Sequence, residues 1–232
     1  MRSKRRTRPP VGVASTADAA AAAIAPAGRV GPPGRAGSHG RAGARATFRP
    51  LSPARWPDLE RLFGARGACA GCWCMYWRLS ARQYADGRGE RHRRAFRRLV
   101  ADGAAHGVLA YVDGTPVGWC AIGPRASFPR LAGSRVLAPV DDRPVWSVVC
   151  FFIARGQRRR GLSVGLLDAA ADYAARRGAR LLEGYPHEPR KEAMPDAFAW
   201  TGIAASFTRA GFAECARRSA GRPIMRRPLP AR

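Results

Sequence analysis

Arg155, Arg158, Arg159 and Arg160 crowd a single turn of this chain, and Gly161 follows them directly. Before the turn runs the apolar stretch VWSVVCFFI; after it comes LSVGLLDAAADYAARR, with the apolar spacing of a helix. The first amides of a helix lack intrahelical acceptors, and the helix dipole favours negative charge beside them. Guanidinium groups next to such amides match phosphate oxygens. The chemistry this turn points to is capture of an anion, a phosphate or pyrophosphate. It has neither the Lys-Ser/Thr pair of a Walker loop nor the three-glycine spacing of a dinucleotide fold.

Three further groups of residues could do chemistry. Glu183 and Tyr185 stand two apart in a short apolar strand, so both project from one face, and a glutamate there needs a partner or a purpose. His187 follows them and could act as a base. Cys69, Cys72 and Cys74, in GACAGCWCMYWR, could bind zinc with His92 or Cys120 as a fourth ligand. No second paired motif accompanies them, and Trp73, Met75, Tyr76 and Trp77 interleave them, so buried or substrate-lining thiols are favoured and no metal is expected. Asp141 and Asp142 read as a solvated turn.

These residues need a scaffold. TFRPL reads as a strand from Thr47, and 53–63 as a helix with Ser52 as its N-cap and Pro53 in first position. A helix over 90–101 carries Phe96, Leu99 and Val100 on one face. GVLAYV and TPVGWCAIG around Asp113-Gly114 form a hairpin. A loop over 124–144 leads to a strand over 145–153, the arginine turn, a helix over 162–177 stopped at Gly178, and the strand ARLLEGY. A short helix near 203–210 and a final strand pair, 212–217 and 223–226, complete the order. This is one α/β domain over 47–228: a central mixed, mostly antiparallel sheet with helices on both faces.

The net charge is +25, carried almost wholly by arginine, which favours anionic partners without specifying a fold. Residues 1–46 hold nine basic residues, one acid and few large apolar side chains, and read as a disordered basic tail. Its composition makes a poor export signal. No run of about 18 apolar residues suggests a membrane span. Six cysteines, two of them (Cys120 and Cys150) inside strand-like runs, suit a reducing cytoplasm.

Arg158 and Gly161, with Ser163 where Gly or Ala is usual, resemble the pyrophosphate loop of the GNAT acyltransferase superfamily. The hairpin over 107–123 is similar to the family's second and third strands. Ala205 to Phe212 is similar to its late helix running into a Gly-Phe strand start. The resemblance spans about 47–227. It implies acetyl-CoA as co-substrate, with the pantetheine arm on backbone groups of Phe151, Phe152 and Ile153. The pyrophosphate would lie on the amides of Arg158, Arg159, Arg160, Gly161, Leu162 and Ser163. It also implies direct attack by an acceptor amine of unspecified identity, a small molecule or a peptide or protein amine. Where many members carry a tyrosine acid, this chain has Phe207, which leaves Glu183 and Tyr185 as the catalytic candidates. The alternative is a nucleic-acid-binding protein that uses its basic tail on a GNAT-like scaffold.

Overall fold

The computed structural model describes residues 45–189 and 196–231. The proposed tail lies almost entirely outside them. Strand β1 (Thr47–Pro50) leads through a 3-10 turn, Pro53–Arg55, into α1 (Trp56–Phe63). Short α2 (Ala81–Ala85) and α3 (Glu90–Ala101) precede the hairpin of β2 (His106–Val112) and β3 (Thr115–Pro124). A 3-10 turn and α4 (Pro129–Ala132) lead to β4 (Trp146–Ile153), then α5 (Leu162–Ala175) and β5 (Leu181–Gly184). A 3-10 turn, Asp196–Thr201, and α6 (Ala204–Arg209) come before β6 (Ala213–Arg217) and β7 (Pro223–Pro228).

The seven strands form one sheet in the order β1-β2-β3-β4-β5-β7-β6. Only β4 and β5 are parallel. Asp113 and Gly114 both have positive φ, 48° and 73°, the geometry that a two-residue hairpin turn demands. One face of the sheet packs Val108, Ala110, Cys120, Ile122, Val148 and Phe151 against α5 and α6. The other packs Leu109, Tyr111, Trp119, Ala121 and Val149 against α1 and α3, through Trp56, Leu59, Phe63, Phe96 and Val100.

Two local expectations change. Ser52 caps no backbone amide; its hydroxyl instead accepts from Arg55 at 3.3 Å, and α-helical geometry begins only at Trp56. The 124–144 loop contains the 3-10 turn and α4.

Strand β4 breaks the simple alternation. Ala121 pairs with Cys150 but Ile122 pairs with Val148, so β4 carries one extra residue, a β-bulge. Val149 and Cys150 consequently both lie on the α1/α3 side, with Phe152, while Val148 and Phe151 lie on the α5 side.

Candidate functional site

Strands β4 and β5 pair only from Trp146–Leu182 to Val148–Gly184. Beyond that point β5 ends and β4 continues five residues further, to Ile153. The Phe207 side chain, wholly buried, sits at the fork. A methyl group added to Gly184 would lie 2.1 Å from its ring, and the ring meets Phe151 edge-on at 6.0 Å. Phe207 is thus packing, and no phenol occupies that place.

Backbone directions along the free stretch follow from one bond. Ala154 N–H donates to Val117 O at 2.9 Å. Antiparallel alternation then turns Phe152 toward β3 and turns the amides and carbonyls of Phe151 and Ile153 toward the side that β5 has left. The Phe152 backbone belongs to the β3 ladder, which corrects the expectation that three successive residues line the gap. The Ile153 carbonyl accepts from Arg158 Nε at 3.0 Å.

The arginine turn is open. Arg159, Arg160 and Gly161 are exposed, and a Cβ added at Gly161 would meet nothing within 4 Å. Arg159 (φ 61°) and Gly161 (φ 77°) both adopt left-handed backbone. The five amides from Arg159 to Ser163 donate no hydrogen bond to any described residue. Ser163, which departs from the small Gly or Ala, uses its hydroxyl to tie α5 to α6 through Ser206 Oγ at 3.1 Å.

Glu183 and Tyr185 do meet, but in a closed network. Tyr185 Oη donates to Glu183 Oε1 at 2.6 Å, and Ser147 Oγ lies 2.8 Å from the same phenol. Arg125 pairs with Glu183 at 3.1 Å, and Arg226 at 2.7 Å. Arg226 also forks onto Asp141 at 2.7 and 3.0 Å. Glu183 and Tyr185 are 1% and 0% exposed. Burial, then the Glu183 charge, push the phenol well above its ordinary pKa. Hydrogen bonds from Arg226 and Arg143 hold the Asp141 carboxyl well below the usual range. Asp141 is therefore an ion-pair member, whereas the sequence suggested a free turn.

His187 lies against Arg222, and burial followed by that cation lowers its pKa. Tyr76 packs on Trp77, Tyr84 and Trp200. Trp77 donates its indole N–H to the bulge carbonyl of Val149 at 2.9 Å. These aromatics wall the side of β4 opposite α5. Thr201, in the 3-10 turn beside β4, has a buried hydroxyl with no partner among the described residues. No sequence signal marks Thr201, because its place depends on where β5 ends.

Among the described residues no group of three or more His, Cys, Asp or Glu side chains is arranged to hold a metal ion. Nor is any helix there long and apolar enough to cross a membrane.

Comparison with known proteins adds the family. The model of the Acetyltransferase (GNAT) family matches residues 73–195, just over half of the chain. No curated protein matches. Among solved structures, an acetyltransferase of the GNAT family from Streptococcus pneumoniae is 13% identical, covering 80% of this chain and 100% of its own, with a TM-score of 0.44. The ribosomal-protein-S18-alanine N-acetyltransferase of Escherichia coli is 16% identical, with coverage of 80% and 94% and a TM-score of 0.40. PaiA N-acetyltransferase of Thermoplasma acidophilum, in complex with coenzyme A, is 12% identical, with coverage of 80% and 99% and a TM-score of 0.42. With a forked β4–β5 pair, an open arginine turn and the family match over the segment that contains both, the chain belongs to the GNAT acetyltransferase family.

Proposed function

We propose that this protein moves an acetyl group from acetyl-CoA to an amine. The observation that carries the reading is the run of five amides at Arg159–Ser163 that donate to no described residue, in a turn exposed at Arg159, Arg160 and Gly161, at the end of a strand that has lost its neighbour. Bound there, acetyl-CoA supplies an activated thioester. The amides of Arg159, Arg160, Gly161, Leu162 and Ser163 would hold its diphosphate, with Arg159 and Arg160 adding charge. Gly161 leaves the approach clear, having no side chain above the amides. Arg158 works from behind: its bond to the Ile153 carbonyl fixes how β4 enters the turn. Phe151 would offer its backbone to the pantetheine arm, and Thr201 an unused hydroxyl nearby.

The acceptor would enter from the aromatic side, past Tyr76, Trp77 and Trp200. Tyr185 is a poor proton donor in its buried network, so Glu183 and Tyr185 are better read as the support of the fork than as acid and base.

Ligand-induced stabilisation tests this. Coenzyme A at 100 times its Kd should stabilise the fold by about 2.7 kcal/mol, a rise of several degrees in Tm. An unchanged Tm at millimolar coenzyme A would overturn the reading.

A further inference from the structure

Three aromatics build the side of the fork opposite α5. Trp77 is tied by its indole N–H to the Val149 carbonyl at 2.9 Å, on the first β4 residue that β5 leaves unpaired. Trp200 lies in the 3-10 turn that leads into Gly202, where an added Cβ would come within 3.1 Å of the Phe151 ring. The turn therefore runs against the free stretch of β4. Tyr76 meets both indoles, at 5.0 Å from Trp77 and 5.1 Å from Trp200. Tyr76 and Trp200 are half-buried, so both keep an open edge.

Two half-buried arginines flank Tyr76. Arg130 lies over its ring at 4.2 Å and over that of Tyr84 at 5.4 Å. Its Nε donates to the Leu79 carbonyl at 3.1 Å, but its two terminal nitrogens have no acceptor among the described residues, and Nη2 is also shielded from solvent. Arg222 meets Nε2 of His187, whose backbone is bonded to Gly202 at 2.9 Å and Ala204 at 2.8 Å. That places Arg222 beside the turn that carries Trp200. A ring nitrogen that accepts from a guanidinium belongs to a neutral imidazole, so the Arg222 charge stays uncompensated. Burial lowers the Arg222 pKa, and Tyr76 is the neighbour that opposes the shift. The acids around the fork are held elsewhere: Glu183 by Arg125 and Arg226, Asp141 by Arg226 and Arg143, Glu188 by Arg217. Among the described residues no carboxylate pairs with Arg130 or Arg222. Partly desolvated cations without a counter-charge are costly, and an arriving anion removes that cost.

We propose that the acceptor is a small amine that carries a carboxylate, an amino acid with an apolar side chain. Arg130 and Arg222 bind the carboxylate, and the apolar side chain lies against Tyr76 and Trp200. The proposal rests on the acetyl-CoA reading above and narrows its acceptor. A guanidinium with both terminal nitrogens unused matches the two oxygens of a carboxylate. A polycationic acceptor is disfavoured twice over. It would face two arginines with no acid to hold it, and the Tyr76 face that could attract a cation is already covered by Arg130.

Matched probes test this on the full-length protein with acetyl-CoA: L-phenylalanine against phenethylamine, L-tryptophan against tryptamine, L-leucine against isoamylamine, and spermidine as the polycation. Release of coenzyme A gives kcat and KM, and calorimetry gives coenzyme A affinity on the same samples. At least one amino acid should exceed its decarboxylated partner, and spermidine, at least tenfold in kcat/KM. In Arg130→Gln and in Arg222→Gln that preference should fall at least tenfold, through KM and not kcat, with coenzyme A still bound. The two arginines lie on separate elements, α4 and the turn before β7, so one variant serves if the other fails to fold. Preference for spermidine or for the decarboxylated amines, no turnover of any amino acid, or a preference that survives the substitutions overturns the proposal. If coenzyme A still binds, the acetyltransferase reading stands. Failure to bind coenzyme A overturns both.

Discussion

The two halves of β4 are held by opposite means. From Trp146 to Val148 the strand is paired on both sides, and beside it Glu183, Arg125, Arg226, Asp141, Tyr185 and Ser147 satisfy one another. From Val149 to Ile153 the only strand it keeps beside it is β3, and the turn that follows has five amides that donate to no described residue. The protein meets its own polar demands where the sheet is closed and leaves them unmet where it forks. A buried group without a partner costs free energy, so the closed half must supply the rigidity that the open half lacks.

The largest effect should come from breaking the closed half. Glu183→Gln leaves Arg125 and Arg226 short of a buried counter-charge and should cost about 3–5 kcal/mol in urea unfolding. A loss below about 1 kcal/mol would show that the network does not support the fork. Next is the fork itself. Gly184→Ala drives a methyl group into the Phe207 ring and should cost about 1–3 kcal/mol, with Phe207→Leu restoring part of the loss in the double variant. Loss of the same size with and without Phe207→Leu would place the strain elsewhere.

In the open half the effect should fall on the ligand. Gly161→Asp puts a carboxylate beside the open amides. Coenzyme A affinity should drop about tenfold, or 1.4 kcal/mol, as calorimetry would show, and the ligand-free Tm should fall modestly because an aspartate is strained at φ 77°. Equal affinity in the variant would remove the turn from the binding site.

The smallest effect is the pH response. Burial lowers the pKa of His92, His106 and His187 in the fold. The unfolded chain binds their protons first, from about pH 6.5 downward. Their stabilisation is therefore complete above pH 6.5 and lost as pH falls through the window below it. Tm should decline between pH 7.5 and pH 5.5. The Asp141 ion pairs, with a depressed carboxyl pKa, are lost only below about pH 4. A Tm that rises between pH 7.5 and 5.5 would contradict the histidine assignment.

Local chemistry made much of this legible in the sequence. The Asp113-Gly114 turn, the amphipathic α3 and the glycine after the arginines each specify their geometry within a few residues. Even α2 has a readable start, since Ser80 and Gln83 form a reciprocal capping box. The partners of Glu183 were not legible. Arg125 and Arg226 lie 58 and 43 residues away, and only the sheet order brings them together. Cys74 and Trp119, 45 residues apart, meet for the same reason. The thiol spacing left open what the sulfurs touch; the fold sets that of Cys74 against an indole.

The extra residue in β4 has a wider reach than its size suggests. A strand presents every second side chain to a given layer, so one inserted position would reverse that order for all that follow unless two neighbours share a face, as Val149 and Cys150 do. Removing Val149 alone would restore plain alternation, with Cys150 still on the aromatic side and Phe151 still toward α5, and would take away the carbonyl that holds Trp77. The added backbone unit thus serves as an anchor for the aromatic wall and leaves the facing of every later side chain as it was.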